Sequence, residues 1–397
     1  MSTKGQLAID QKQPLGFLWA LHVLNDGYLA SFIILLPFIA AGLGLSLTEV
    51  GVLGSILNTS AVILALPAGY LAARFGGLRL LLGALVLYGS AMLALSASMH
   101  FWMVGAAYLV AGVGFGVFHP VAFALIARWS AKESRGKTVG NFTAIGDLGR
   151  IGIAAAVSFI AAKIGWRHTA IIYSLALVIV FILCVRYIKA NHPARLQADK
   201  SSAVQHMPLR VILHNARFAL VLIASVFDSI ASKALFIFLP FLLIQRGISP
   251  IFLGSFGAVY FLGNFMGKMF LGRLVDVFGN ARMFVFAELS MAILIVLLTM
   301  SSHVPTILIC SLLLGVFTKG TTPIVQTMVA ESVEHNGQYE KAFGIGGFFG
   351  AVGDVIGPLT IGLLSDHLGI VTAFYAMAIA AVVATIPAVF YRRLKRI

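Results

Sequence analysis

Apolar runs long enough to cross a bilayer follow one another along this chain, and they come in two related sets. The runs Phe17–Ala41 and Phe218–Ile244 each exceed the roughly 20 residues that a helix needs to span a hydrocarbon core. Sliding the sequence by about 203 residues brings the two into register. Pro37 then meets Pro240, Gly44 meets Gly247, Gly51 meets Gly254 and Gly54 meets Gly257. The match runs on through Gly69/Gly272, Leu71/Leu274, Phe75/Phe278, Gly76/Gly279 and Arg79/Arg282, and reaches Gly112/Gly315 and Pro120/Pro323. Each half also carries an aspartate inside its first long run, Asp26 and Asp228. An ionisable group at mid-depth costs several kcal/mol unless a partner or a pathway accounts for it. Two related membrane halves with such groups suggest a transporter whose site lies between the halves.

The composition agrees. The 397 residues are 60% hydrophobic and only 11% charged, too few charges to cover the surface of a soluble protein of this size. A net charge of +14 raises the possibility of nucleic acid as partner, but the positions of the cations argue against it. Most Lys and Arg residues fall in the termini and in one set of alternating loops. Lys163, Arg167 and Arg246 lie on the opposite side, and Arg150, Lys233, Lys268 and Lys319 lie inside apolar runs. That asymmetry is the positive-inside pattern. Cys184 and Cys310 both lie in hydrophobic runs, so neither a disulfide framework nor a cysteine metal cluster is expected. Residues 1–14 are polar and the first apolar run is long enough to span, so no cleavable signal is expected.

The expected architecture is all-α, with twelve transmembrane helices in two six-helix bundles. The spans read as 15–41, 48–73, 78–98, 101–129, 137–163 and 168–189, then 216–245, 249–274, 280–301, 304–332, 341–365 and 369–391. The N-terminal bundle covers 1–189 and the C-terminal bundle 216–397, with a polar linker at 190–215. Both termini and the linker are expected in the cytoplasm.

The loops after spans 2 and 8 carry matched motifs. Gly69-Tyr-Leu-Ala-Ala-Arg-Phe-Gly-Gly-Leu-Arg79 aligns with Gly272-Arg-Leu-Val-Asp-Val-Phe-Gly-Asn-Ala-Arg282. The pattern Gly-x-Leu-x-Asp-x-x-Gly-x-x-Arg resembles the cytoplasmic signature of the major facilitator superfamily. The resemblance covers nearly the whole chain and implies alternating access. The first copy has Ala73 where the family usually has Asp, whereas the second keeps Asp276. A carboxylate there can sit at a helix N-terminus and hold a gate. Gly69, Arg74, Arg79, Gly272, Asp276 and Arg282 are therefore the gating candidates. More narrowly, His22-Val-Leu-Asn-Asp26 and Gly112-Val-Gly-Phe-Gly-Val-Phe-His-Pro120 look like the fosmidomycin-resistance branch. That resemblance implies proton-driven drug export. Val121 replaces the acid that often follows His-Pro in that branch, and span 5 carries the charged Gly146-Asp-Leu-Gly-Arg150.

The buried polar residues supply the site candidates. His22 lies one turn before Asp26 on the same helix face, and the two are the expected proton-coupling pair. Asn25, His119, Asp147, Arg150, Asp228, Lys233, Lys319 and Asp354 are the substrate-site candidates. His119 precedes Pro120, which frees a carbonyl, although the equivalent Thr322–Pro323 suggests a structural bend at both sites. Asp147 and Arg150, three residues apart, can pair with each other. Lys233 and Lys319 lack an acid one turn away and need a partner on another helix, water or a ligand. Glu288 lies in span 9 without an evident partner.

Two motifs are set aside. Gly263-Asn-Phe-Met-Gly-Lys-Met269 has too few residues between its glycines for a phosphate loop, and Met where Ser or Thr should hold Mg²⁺. Gly112-x-Gly114-x-Gly116 has no strand before it. No enzyme activity, cofactor or resident metal is expected. The expected function is secondary transport, as proton-coupled export of a small polar or anionic compound by a chain acting as a monomer among lipids. Uptake by symport, or transport of a metal ion or siderophore-type chelate, is the alternative. A lipid-acting enzyme or a non-transporting receptor fits less well, because the halves repeat and charges are buried on several helices.

Overall fold

The computed structural model describes residues 3–65, 67–129, 135–191, 215–333 and 339–394. Apart from Ala190, Asn191 and Asn215, the linker expected at 190–215 lies outside the described residues. The described residues form thirteen α-helices and one 3₁₀ turn, Pro250–Phe252. The first half contains α1 (Thr3–Leu43), α2 (Leu47–Ala65), α3 (Ala68–Phe75), α4 (Gly77–Ser96), α5 (Phe101–Trp129), α6 (Arg135–Ile164) and α7 (Trp166–Asn191). The second contains α8 (Ala216–Gln245), α9 (Leu253–Phe278), α10 (Asn280–Met300), α11 (Val304–Ser332), α12 (Tyr339–Leu368) and α13 (Ile370–Arg393). Twelve of these segments are long and apolar enough to cross a membrane, in the order expected. The polar residues before the first span extend α1 back to Thr3.

The second span departs from the expected continuous 48–73. It breaks at Pro67, which lacks an N–H and whose ring clashes with the preceding turn, so α3 starts afresh at Ala68. The repeat has Phe270 at the equivalent place, and α9 runs unbroken.

Duplication shows in the backbone itself. The glycines with positive φ are Gly44, Gly76, Gly165, Gly247, Gly279 and Gly369. They form the pairs Gly44/Gly247, Gly76/Gly279 and Gly165/Gly369, each about 203 residues apart. Each lies where one helix ends and the next turns back, a conformation that costs other L-residues a steric clash.

The helices cluster as two compact units, residues 1–38 with 59–203, and residues 39–58 with 204–397. In the first, α4 packs against α5 and α7. The outer face of α7 leaves Ile171, Leu175, Ile179 and Leu183 exposed, as a lipid-facing helix requires. In the second, α9 lies along α11, and α8 lies against α12 and α13. The start of α2 belongs to this unit. Asp366 on α12 accepts the backbone N–H groups of Leu47 at 2.9 Å and Thr48 at 2.7 Å, capping that helix with a favourable charge.

The α9–α11 contact explains the glycines that echo a phosphate loop. A Cβ on Gly263 would run into the carbonyl of Leu312, one on Gly267 into that of Val316, and one on Gly315 into that of Tyr260. These glycines let two backbones touch, as small residues do between membrane helices. Gly263→Leu is therefore expected to lower the thermal unfolding temperature in detergent, by the equivalent of about 1–3 kcal/mol or more of overpacking. Gly347→Leu, where an added Cβ would meet nothing within 4 Å, should be close to neutral in the same measurement.

Candidate functional site

The first unit gathers its buried polar residues into one connected cluster. Glycines set it up. Gly149 on α6 packs against the carbonyl of Val23, and a Cβ on Gly27 would stand 2.7 Å from the carbonyl of Gly149. With α1 and α6 this close, Asp26 and Arg150 reach each other directly, Nη2 to Oδ2 at 2.8 Å. Gly146 preserves the space. A Cβ there would lie 2.5 Å from Asp26 Oδ2 and 2.8 Å from His22 Nε2.

Asp26 is 2% exposed and His22 1%. Asn25 donates to Asp26 Oδ1 at 2.9 Å, and the Tyr88 hydroxyl donates to Asn25 Oδ1 at 2.9 Å. Arg150 uses its other nitrogen on Asp147 at 3.0 Å, so one guanidinium holds two carboxylates. The expected Asp147–Arg150 pair forms, but it is part of a triad. Counted with ordinary ionisation, the triad has two negative groups and one positive.

Two imidazoles complete the cluster. His22 Nδ1 lies 2.7 Å from the Phe142 carbonyl, which can only accept, so Nδ1 carries a hydrogen. In neutral His22 the lone pair then sits on Nε2. That atom is 3.4 Å from Asp26 Oδ2 and 3.2 Å from His119 Nε2. His119 Nε2 is in turn 3.6 Å from Asp26 Oδ1. His22 is stacked on the Phe142 ring, centroids 4.0 Å apart, which fixes its plane. The result is a short chain of donors and acceptors, Asp26–His22–His119.

The same three residues offer donor atoms within 4.8 Å of one another, the reach of a single metal ion. Arg150 already places a positive charge on Asp26, where an ion's charge would otherwise go.

The second unit has its own group. Lys233 Nζ pairs with Asp354 Oδ2 at 3.6 Å. Asp228 accepts from Thr321 Oγ1 at 3.3 Å and lies near Lys319. Both lysines thus have carboxylates on other helices beside them, one of the three kinds of partner that their spacing left open. Asp147 and Asp354, which lie 207 residues apart in the two halves, differ in setting. Asp147 is fully buried, whereas the Asp354 side chain is 30% exposed.

Among the gating candidates, Arg74, Arg79 and Arg282 are exposed and Gly272 lies beside the Pro323 ring. Gly69 is exposed on α3. The side chains of Ala73 and Asp276 lie outside the described residues. Sequence reasoning missed Tyr88 and Phe142, and named Gly146 only within the charged run of span 5; none of the three carries a local signal for its place against Asp26, Asn25 or His22.

Comparison with known proteins bears on the fold and the family of this chain. The family model of the Major Facilitator Superfamily matches residues 18–227 and 221–396. The 3-(3-hydroxy-phenyl)propionate transporter of Escherichia coli (strain K12) is 26% identical over 326 residues, covering 81% of this chain and 79% of that one. The uncharacterized MFS-type transporter YuxJ of Bacillus subtilis (strain 168) is 23% identical, covering 66% of this chain and 67% of its own. The multidrug resistance protein MdtG of Salmonella arizonae is 31% identical, but over only 36% of each chain. Among solved structures, a bacterial homologue of the human lysosomal transporter Spinster superposes with TM-score 0.76 at 12% identity, over 97% of both chains. The nucleoside transporter NupG does so with TM-score 0.75 at 13% identity, over 95% of this chain and 99% of that one. These relatives and neighbours are transporters, not enzymes. A match on both halves, twelve spanning helices and a duplicated backbone leave one assignment: the chain is a multi-pass membrane transporter of the major facilitator superfamily.

Proposed function

We propose that this transporter couples protons to the movement of a small organic anion, with the Asp26 cluster as the coupling site. The observation that carries this reading is the 2.8 Å contact between Arg150 and Asp26. A proton arriving on Asp26 through His22 or His119 removes that carboxylate's charge. Arg150 is then held by Asp147 alone and can bind a substrate carboxylate. Proton and anion therefore favour each other's binding, and by linkage the effect is reciprocal. In the second unit Lys233 and Lys319 are the proposed anion ligands, with Asp228 and Asp354 balancing their charge. The likeness to a transporter of a phenylpropionate, itself an anion, supports the substrate class.

This coupling has a direction. Co-binding of proton and anion is symport, so an inward proton gradient drives uptake. Export by antiport is the second reading, favoured by the fosmidomycin-resistance motifs and by the partial likeness to MdtG. Both readings place the chain in a bacterial cytoplasmic membrane with its termini in the cytoplasm, following its cation distribution.

Reconstituted vesicles separate the two. With 3-(3-hydroxyphenyl)propionate as probe, symport predicts that acid outside raises the initial uptake rate above that of protein-free vesicles. Antiport predicts stimulation by acid inside. Because the driving force is thermodynamic, the orientation of the protein in the vesicle does not change the sign. Stimulation by neither gradient, with the probe exchanging normally, would remove proton coupling altogether.

A further inference from the structure

Glu288 on α10 is completely buried, and no hydrogen-bond donor among the described residues reaches either of its oxygens. A buried carboxylate without donors is among the most costly arrangements in a folded protein. What it meets is a second acid. The carboxyl of Glu288 interacts directly with that of Asp228 on α8, which is 9% exposed. Two carboxylates in contact and out of water do not both ionise, and one proton held between them supplies the missing donor.

We propose that Asp228 and Glu288 share one proton at neutral pH, forming a proton-binding site in the second unit that is separate from the Asp26 cluster. The surrounding charges fit. Asp228 faces Lys319 and Thr321 on α11 and feels Asp354 on α12, which is paired with Lys233 of α8. Two ammonium groups stand against three carboxyls, so one added proton makes the group electroneutral. The repeat fits as well. Shifting by about 203 residues sets Asn25 against Asp228. In the first unit Tyr88, from the third span, donates its hydroxyl to Asn25. In the second unit Glu288, from the third span of that half, stands against Asp228. Tyrosine carries its own hydrogen, whereas Glu288 can play the donor only when protonated.

The existence of this site does not depend on how Asp26 works; its use as a second coupling proton rests on the proton-coupled reading above. Infrared difference spectroscopy on the purified full-length protein at neutral pH, in H₂O and D₂O, tests it without any transport assay. The unsubstituted protein should show the carbonyl stretch of one buried protonated carboxyl, shifted by deuteration. Glu288→Gln should lose it, because the amide donates to Asp228 and two carboxylates then face two lysines. Asp228→Asn should lose it for the same reason, and provides the test if the first variant folds poorly. Asp26→Asn should keep it. Absence of the band from the unsubstituted protein, persistence in either second-unit variant, or loss in Asp26→Asn overturns the proposal. Failure of the Asp26 reading alone, seen as undiminished gradient-driven uptake by Asp26→Asn, would leave the band in place.

Discussion

Asp26→Asn is expected to abolish the stimulation of uptake by a proton gradient while leaving a folded protein that still exchanges substrate. Both halves of that expectation come from charge. The unsubstituted triad holds Asp26, Asp147 and Arg150, one negative charge in excess. Asparagine at position 26 removes that excess and leaves the Arg150–Asp147 pair balanced. The amide is nearly the size of the carboxylate, and Gly146 keeps the space beside it open. Stability should therefore be held or slightly raised. Functionally, the variant imitates permanently protonated Asp26, so Arg150 is always available to the anion. Counterflow of labelled 3-(3-hydroxyphenyl)propionate against unlabelled compound needs no net proton movement and should persist. Undiminished gradient stimulation in a well-folded Asp26→Asn protein would show that the proton travels elsewhere.

Much of this architecture is legible in the sequence, because its signals are local. Span length follows from runs of apolar residues, and the turn-back glycines repeat at the same offset in both halves. His22–Asp26 and Asp147–Arg150 are legible because residues three or four apart share a helix face. The pairings that decide chemistry are not local. Asp26 meets Arg150 across α1 and α6, Lys233 meets Asp354 across α8 and α12, and Asp228 meets Glu288 across α8 and α10. Sequence alone showed that Lys233 needed a partner and left Glu288 without one. It could not say which acids would answer, because that depends on how helices rotate about their axes when they pack. Gly146 is the clearest case. It reads as one more glycine in a membrane helix until the packing shows it holding space for the Asp26 carboxylate.

Replacing Arg150 should have the opposite effect on stability to replacing Asp26. Arg150→Gln leaves Asp26 and Asp147 without the guanidinium that they share. Removing one partner from a buried ion pair costs about 3–5 kcal/mol, since the remaining charge has lost its compensation. Asp26 keeps the Asn25 amide and two nearby histidines, so Asp147 bears most of the loss. The double variant Arg150→Gln/Asp147→Asn should therefore recover most of the stability in thermal unfolding, although it carries one more substitution. The two losses would then be strongly non-additive, as expected for groups in direct contact. Binding should not recover with stability. If Arg150 grips the substrate carboxylate, both variants lose a charge-assisted contact worth about 1.5–3 kcal/mol, or roughly tenfold to 150-fold in affinity. An uncharged analogue of the probe should lose far less. A double variant that regained full affinity for the anion along with its stability would confine Arg150 to a structural role and move the anion site to the lysines of the second unit.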